Sequence, residues 1–191
     1  MMNELTHKHL RRSLSQLTHL AFWLSTQPQS PLYVPPSILR SYSFSTLNKP
    51  QELTSYGGVK EGTPFVEYSL CSIYNDRQMS GLFTYQEEIA LSSAFPILSD
   101  LSLTSYLSCL VSHETAHACV FYVDCQSKRS FSEAHGERWQ LIYRFVRDSL
   151  LFIVSSIDMN YYLSGKGIWT INDIPQPLKD MASLCFTHQR L

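Results

Sequence analysis

Residues 113–117 read His113-Glu114-Thr115-Ala116-His117, an H-E-x-x-H segment. On a helix, residues four apart share one face, a turn above one another. Two imidazoles so placed can hold one metal ion, and Glu114, beside His113, lies near enough to reach a water on it. This is the zinc-hydrolase arrangement, with neutral imidazoles as ligands and a carboxylate as general base. A catalytic zinc also needs a third protein ligand and an open position for water. His135 is the candidate, after a gap of seventeen residues from His117, and followed by Gly136 and Trp139. That gap is long enough to end one helix, turn, and bring a second back to the metal. The expectation is one catalytic Zn²⁺ on His113, His117 and His135. Glu114 would deprotonate the water that attacks a carbonyl, then deliver a proton to the leaving amine. Arg138, Tyr161 and Tyr162 are available as oxyanion donors, with nothing in the sequence to single one out.

The elements that must position these residues are partly legible. A helix carrying the motif is expected to begin near Asp100 or Ser102, either of which can cap free N–H groups. Leu103, Leu107 and Leu110 form a stripe that runs on into His113, Glu114 and His117, so the ligand face should be the core face. A second helix is expected from Ser132, with His135 in its first turn and Gly136 allowing close helix approach. Trp139, Ile142, Tyr143, Val146, Leu150 and Ile153 recur on one face of it; Glu137, Arg138, Arg144, Arg147 and Asp148 should face solvent.

Upstream, residues 4–25 read as an amphipathic helix on Leu10, Leu14, Leu17, Ala21 and Leu24, with Lys8, Arg11 and Arg12 solvated and His7, His9 and His19 on the surface. Prolines make 26–64 irregular apart from a short turn at 36–41; Gly57-Gly58 and Gly62-Thr63-Pro64 punctuate a short extended piece at 55–60. The aromatics of this stretch suit a wrap around the domain or a wall of the substrate cleft. Residues 65–74 and 81–92 alternate as strands, separated by a turn at Asn75-Asp76-Arg77 and ended by Phe95-Pro96. Beyond 156, Gly165-Lys166-Gly167 reads as a turn, 168–171 as a short strand and 177–186 as a short helix. The whole, 1–191, reads as one domain with its core at 65–155 and a C-terminal extension at 156–191.

Bulk properties narrow the partners. A net charge of −1 offers no global attraction for nucleic acid or an anionic membrane. No apolar run approaches the ~20 residues of a membrane span. The five cysteines are odd in number and irregularly spaced, the pattern of reduced thiols, and neither Cys119 nor Cys125 has ligand spacing. A cytoplasmic protein is the simplest expectation; a Ser-rich start is also found in effectors exported without a cleaved signal.

The chain resembles the SprT-like zinc metallopeptidases, which include Spartan-type DNA–protein crosslink proteases. The likeness covers about 65–155: the motif at 113–117, His135-Gly136 with Trp139, and Gly81-Leu82-Phe83-Thr84-Tyr85 with Glu88-Ile89-Ala90-Leu91-Ser92, which is similar to the family's strand before the active-site helix. The gap to His135 is longer than in bacterial SprT, and no C-x-x-C pair of a zinc ribbon is present. The resemblance implies an α+β, zincin-like fold: a small mixed or antiparallel sheet packed on the motif helix, then a helix carrying the third ligand. It implies an endopeptidase with a protein or peptide substrate laid along 83–92, and it alone suggests nucleic-acid association. Two other functions compete: a zinc hydrolase of a non-peptide amide, and an inactive zincin-fold module binding protein or nucleic acid.

Overall fold

The computed structural model describes residues 4–49, 51, 54–75, 83–85, 98–128, 130, 133–163 and 174–188. The elements run α1 (Glu4–Ser25), α2 (Ile38–Ser41), β1 (Ser43–Leu47), β2 (Ser55–Lys60), β3 (Thr63–Ser69), α3 (Leu70–Asn75), β4 (Phe83–Tyr85), β5 (Leu98–Leu101), α4 (Leu103–Gln126), α5 (Glu137–Ser156), α6 (Met159–Leu163) and α7 (Gln176–His188). The fold is α+β, with a small mixed sheet and a majority of helix.

Three strands form the sheet in the order β1-β3-β2, β1 parallel and β2 antiparallel to β3. The β2–β3 hairpin closes with Lys60 opposite Thr63. Its two loop residues, Glu61 and Gly62, have φ of 52° and 78°, the positive pair that a type I′ turn needs to follow the strand twist. The turn is thus Glu61-Gly62, and Gly57-Gly58 lies inside β2, which spans the extended piece expected at 55–60. The strand expected at 65–74 ends at Ser69. There the Ser69 hydroxyl accepts from the Ser72 N–H at 3.1 Å, capping α3 and turning the chain from extended to helical. β1 falls in the stretch expected to be irregular; in Ser-Phe-Ser-Thr-Leu only Phe44 and Leu47 carry an apolar signal. A second pair, β4 with β5, is antiparallel and leads directly into α4. Of the expected strand at 81–92, only Phe83–Tyr85 is described; 76–80, Phe95-Pro96, Ser132, 165–167 and 168–171 lie outside the described residues.

Helix α4 starts where Ser102 caps it, its side chain accepting from the Ser105 N–H at 3.2 Å. Of the expected stripe, Leu107, Leu110, Glu114 and His117 are buried, but burial is not confined to that face. Leu103 is 46 % exposed, and from Tyr106 to Val120 nearly every residue is buried. The helix is surrounded, packing on β2 and β3, on α1 and on α5, and a helix buried all round has no polar face to show. Its buried serines donate back to their own helix, Ser108 to the Thr104 carbonyl at 2.8 Å and Ser112 to that of Ser108 at 2.7 Å, so they cost little.

Helix α1 buries its expected stripe of Leu10, Leu14, Leu17, Ala21 and Leu24, while Lys8 and Arg11 are exposed. His19, expected on the surface, is 4 % exposed, with Nδ1 3.0 Å from the Tyr42 hydroxyl. Tyr42 in turn stacks on Phe22, so the 26–49 stretch wraps α1. Helix α5 buries Trp139, Ile142, Tyr143, Val146, Leu150 and Ile153 as its periodicity predicts. Two of its expected solvent-facing residues are not free in water: Arg138 pairs with Asp124, and Arg147 lies over the Tyr143 ring. The C-terminal helix, expected at 177–186, spans Gln176–His188. All five cysteines are free thiols. No described helix is long and apolar enough to cross a membrane.

Candidate metal centre

His113 and His117 stand a turn apart on α4, and their Nε2 atoms are 3.2 Å apart. His135 completes a triangle with Nε2 distances of 3.1 Å to His117 and 3.4 Å to His113. It does so from outside the helix expected to carry it. The N-cap of α5 is Gly136, with extended backbone (φ −67°, ψ 177°), so His135 lies just before the helix, not in its first turn. The Gly136 carbonyl receives the Gln140 N–H at 3.0 Å, and the Gln140 side chain donates to the His135 carbonyl at 3.0 Å. Gly136 is not a point of helix approach: a Cβ there would meet Glu133, of its own loop, at 3.3 Å.

Three imidazole nitrogens in a triangle cannot satisfy one another. Each Nε2 presents either one N–H or one lone pair in its ring plane, so at least one of the three contacts pairs two donors or two acceptors. Protonation gives no relief. Burial, with a smaller contribution from the neighbouring histidines, pulls His113 down to about 3 and His117 to about 4, so both are neutral at pH 7, the form that ligates metals. The three histidines could therefore hold a metal ion, which removes the conflict by taking three lone pairs at once. Among the described residues, the Nδ1 atoms of His113 and His117 have no hydrogen-bond partner. Packing orients the rings instead. Trp139, 1 % exposed, has its ring centroid 4.9 Å from His113, 5.2 Å from His117 and 4.6 Å from His135. Tyr143 stacks behind it at 4.7 Å, and Phe121 stacks on His117.

Glu114 does not join the ligand set. It is 6 % exposed, and its Oε1 accepts from the Ser55 hydroxyl at 2.7 Å. The Gly57 N–H also bonds the carboxylate. Burial pushes its pKa up to about 7, against the downward pull of those two hydrogen bonds. Both donors come from β2, which lies directly on α4: a Cβ at Gly57 would stand 2.1 Å from the Glu114 carbonyl oxygen. Ser55 and Gly57 were not expected at the site. The available signal was a glycine inside an extended stretch, which marks close backbone approach as readily as a turn.

The other candidates fall elsewhere. Cys119 is buried 3.3 Å from the Ser25 hydroxyl, and burial pushes its thiol up to about 12. Tyr161 and Tyr162 meet each other edge to face on α6. The Arg138 guanidinium is engaged by Asp124. No family model matches the chain, and neither a curated protein nor a solved structure is similar to it, so the likeness to SprT-type peptidases stands on the motif residues alone.

Proposed function

We propose that the chain is a zinc-dependent endopeptidase with a zincin-like catalytic centre. The observation that carries this is the triangle of Nε2 atoms, 3.1–3.4 Å on a side, together with a buried carboxylate on the residue that follows His113. A tetrahedral zinc with bonds of ~2.05 Å sets its ligand nitrogens about 3.3 Å apart, so the donor spacing suits that ion. Three neutral imidazoles also leave a fourth position open, the pattern of catalytic rather than structural zinc.

Zinc, when bound, supplies a Lewis acid that polarises the scissile carbonyl and acidifies water. The chain's own residues do the rest. Glu114 takes the proton of the attacking water and passes one to the leaving amine. A group that must gain and lose a proton near neutrality works best with a pKa there, and burial moves Glu114 that way. Ser55 and Gly57 fix the carboxylate from β2. Two carboxylate oxygens accept about four hydrogen bonds, so capacity remains for the water. Of the segment assigned to substrate, 83–92, the described part is β4, whose Tyr85 ring lies 6.5 Å from that of His113; an extended peptide would add beside it through backbone pairing. An inactive binding module or a structural metal site would make no use of a buried, proton-exchanging carboxylate.

The test is Glu114→Gln, assayed for zinc content and for cleavage of an unfolded protein substrate. Zinc should be retained and turnover should fall by ~10²-fold or more. Cleavage at the wild-type rate would overturn the mechanism.

A further inference from the structure

The third ligand poses a problem of register. His113 and His117 share α4, so helix geometry alone fixes their spacing. His135 lies before the start of α5, and its position depends on how the first turn of α5 sits against α4. Trp139 packs the two helices together, but apolar packing tolerates small slides. A directional contact lies nearby. Asp124, on α4, is seven residues beyond His117 and so on nearly the same face two turns on. It is fully buried, and its carboxylate pairs with the guanidinium of Arg138, which is three residues beyond His135 and 29 % exposed.

We propose that the Asp124–Arg138 pair is the positioning clamp that brings His135 to the metal, through the linkage α4–Asp124–Arg138–α5–Gln140–His135. The last step is the Gln140 side chain's bond to the His135 carbonyl. A buried ion pair adds little net stability over apolar residues of similar size, because desolvation offsets the attraction. What it adds is direction: Arg138 can meet Asp124 at one register of α5 on α4. Neither residue touches the reacting atoms, so the role is positioning, not catalysis. The inference rests on the metal reading of the three histidines.

The experiment measures Zn²⁺ affinity by chelator competition, beside the unfolding midpoint of the metal-free protein, for wild type and for Asp124→Val/Arg138→Met. The expected result is an unchanged or higher midpoint with zinc bound about tenfold to a hundredfold more weakly, the range for groups that orient ligands. Asp124→Asn, nearly isosteric, guards against a double variant that does not fold; it should bind zinc measurably more weakly while melting cooperatively. Zinc affinity within twofold of wild type in a folded variant overturns the clamp and leaves the metal site standing. A loss of zinc that only follows a matching loss of stability also overturns it, since the pair would then be merely structural. A wild-type protein that binds no zinc overturns the clamp and the metal site together.

Discussion

Replacing Gly57 by alanine tests whether β2 lies on α4 as described. The added Cβ would stand 2.1 Å from the Glu114 carbonyl oxygen, 2.8 Å from its carbonyl carbon and 2.9 Å from its Cα. Attractive contact between such atoms begins near ~3.5 Å, so β2 and α4 must part by more than an ångström. All three opposing atoms are backbone, and no rotamer change relieves them. Overpacking of a core costs about 1–3 kcal/mol; with only backbone to move, we expect the upper end, ~3 kcal/mol. At about 2–4 °C per kcal/mol for a chain of this size, that is a fall of ~6–12 °C in Tm. Gly58 is the control. The nearest atoms to a Cβ there would be those of the Phe65 and Tyr56 rings, at 3.4–3.6 Å, ordinary contact, and alanine also restricts the unfolded chain. Gly58→Ala should therefore stay within ~1 kcal/mol of wild type and can stabilise. Thermal unfolding of both variants in one buffer is the assay. If the two melt within ~2 °C of each other, the described packing of β2 on α4 is wrong.

Gly62→Ala should cost ~1 kcal/mol through conformation alone, because φ is +78° with open space around it; unchanged zinc content with a slightly lower Tm is the expected pair of readings. Ser55→Ala removes a hydrogen bond that holds the Glu114 carboxyl down, so its pKa should rise further and the acidic limb of the kcat/KM profile should move to higher pH, with zinc retained. The sign for stability follows. With a folded pKa of about 7 against an ordinary 4.5, the folded metal-free protein binds this proton more tightly than the unfolded chain does. Glu114 thus favours folding at low pH, and that contribution is lost as pH rises from 4.5 through about 7. In Ser55→Ala the loss should extend to higher pH, as read from unfolding midpoints across a pH series.

What could be read from the sequence was the local part of the site. Positions 113 and 117 meet because a helix makes them meet, and the Ser102 cap and the α1 stripe are equally local signals. His135 could be nominated by residue type and gap, but not its exact setting. The start of α5 depends on Gly136 and on Gln140 reaching back to the His135 carbonyl. Ser55 and Gly57 were hidden because their partner lies more than fifty residues away, and no periodicity links a strand to the helix it packs on. Asp124 with Arg138, and His19, whose burial depends on Tyr42 folding back over α1, are closer in the chain but equally hidden, because no local pattern links residues of separate elements. The stripe on α4 misled at Leu103 because that residue opens the helix, ahead of the stretch from Tyr106 onward that its neighbours bury.

The central claim is that three histidines hold one zinc. Elemental analysis of the purified wild type beside His135→Ala tests it most directly. One zinc per chain in the wild type, lost or much weakened in the variant, is the predicted result. Equal zinc in both would remove His135 from the site, and no zinc in the wild type after reconstitution would contradict the metal centre altogether.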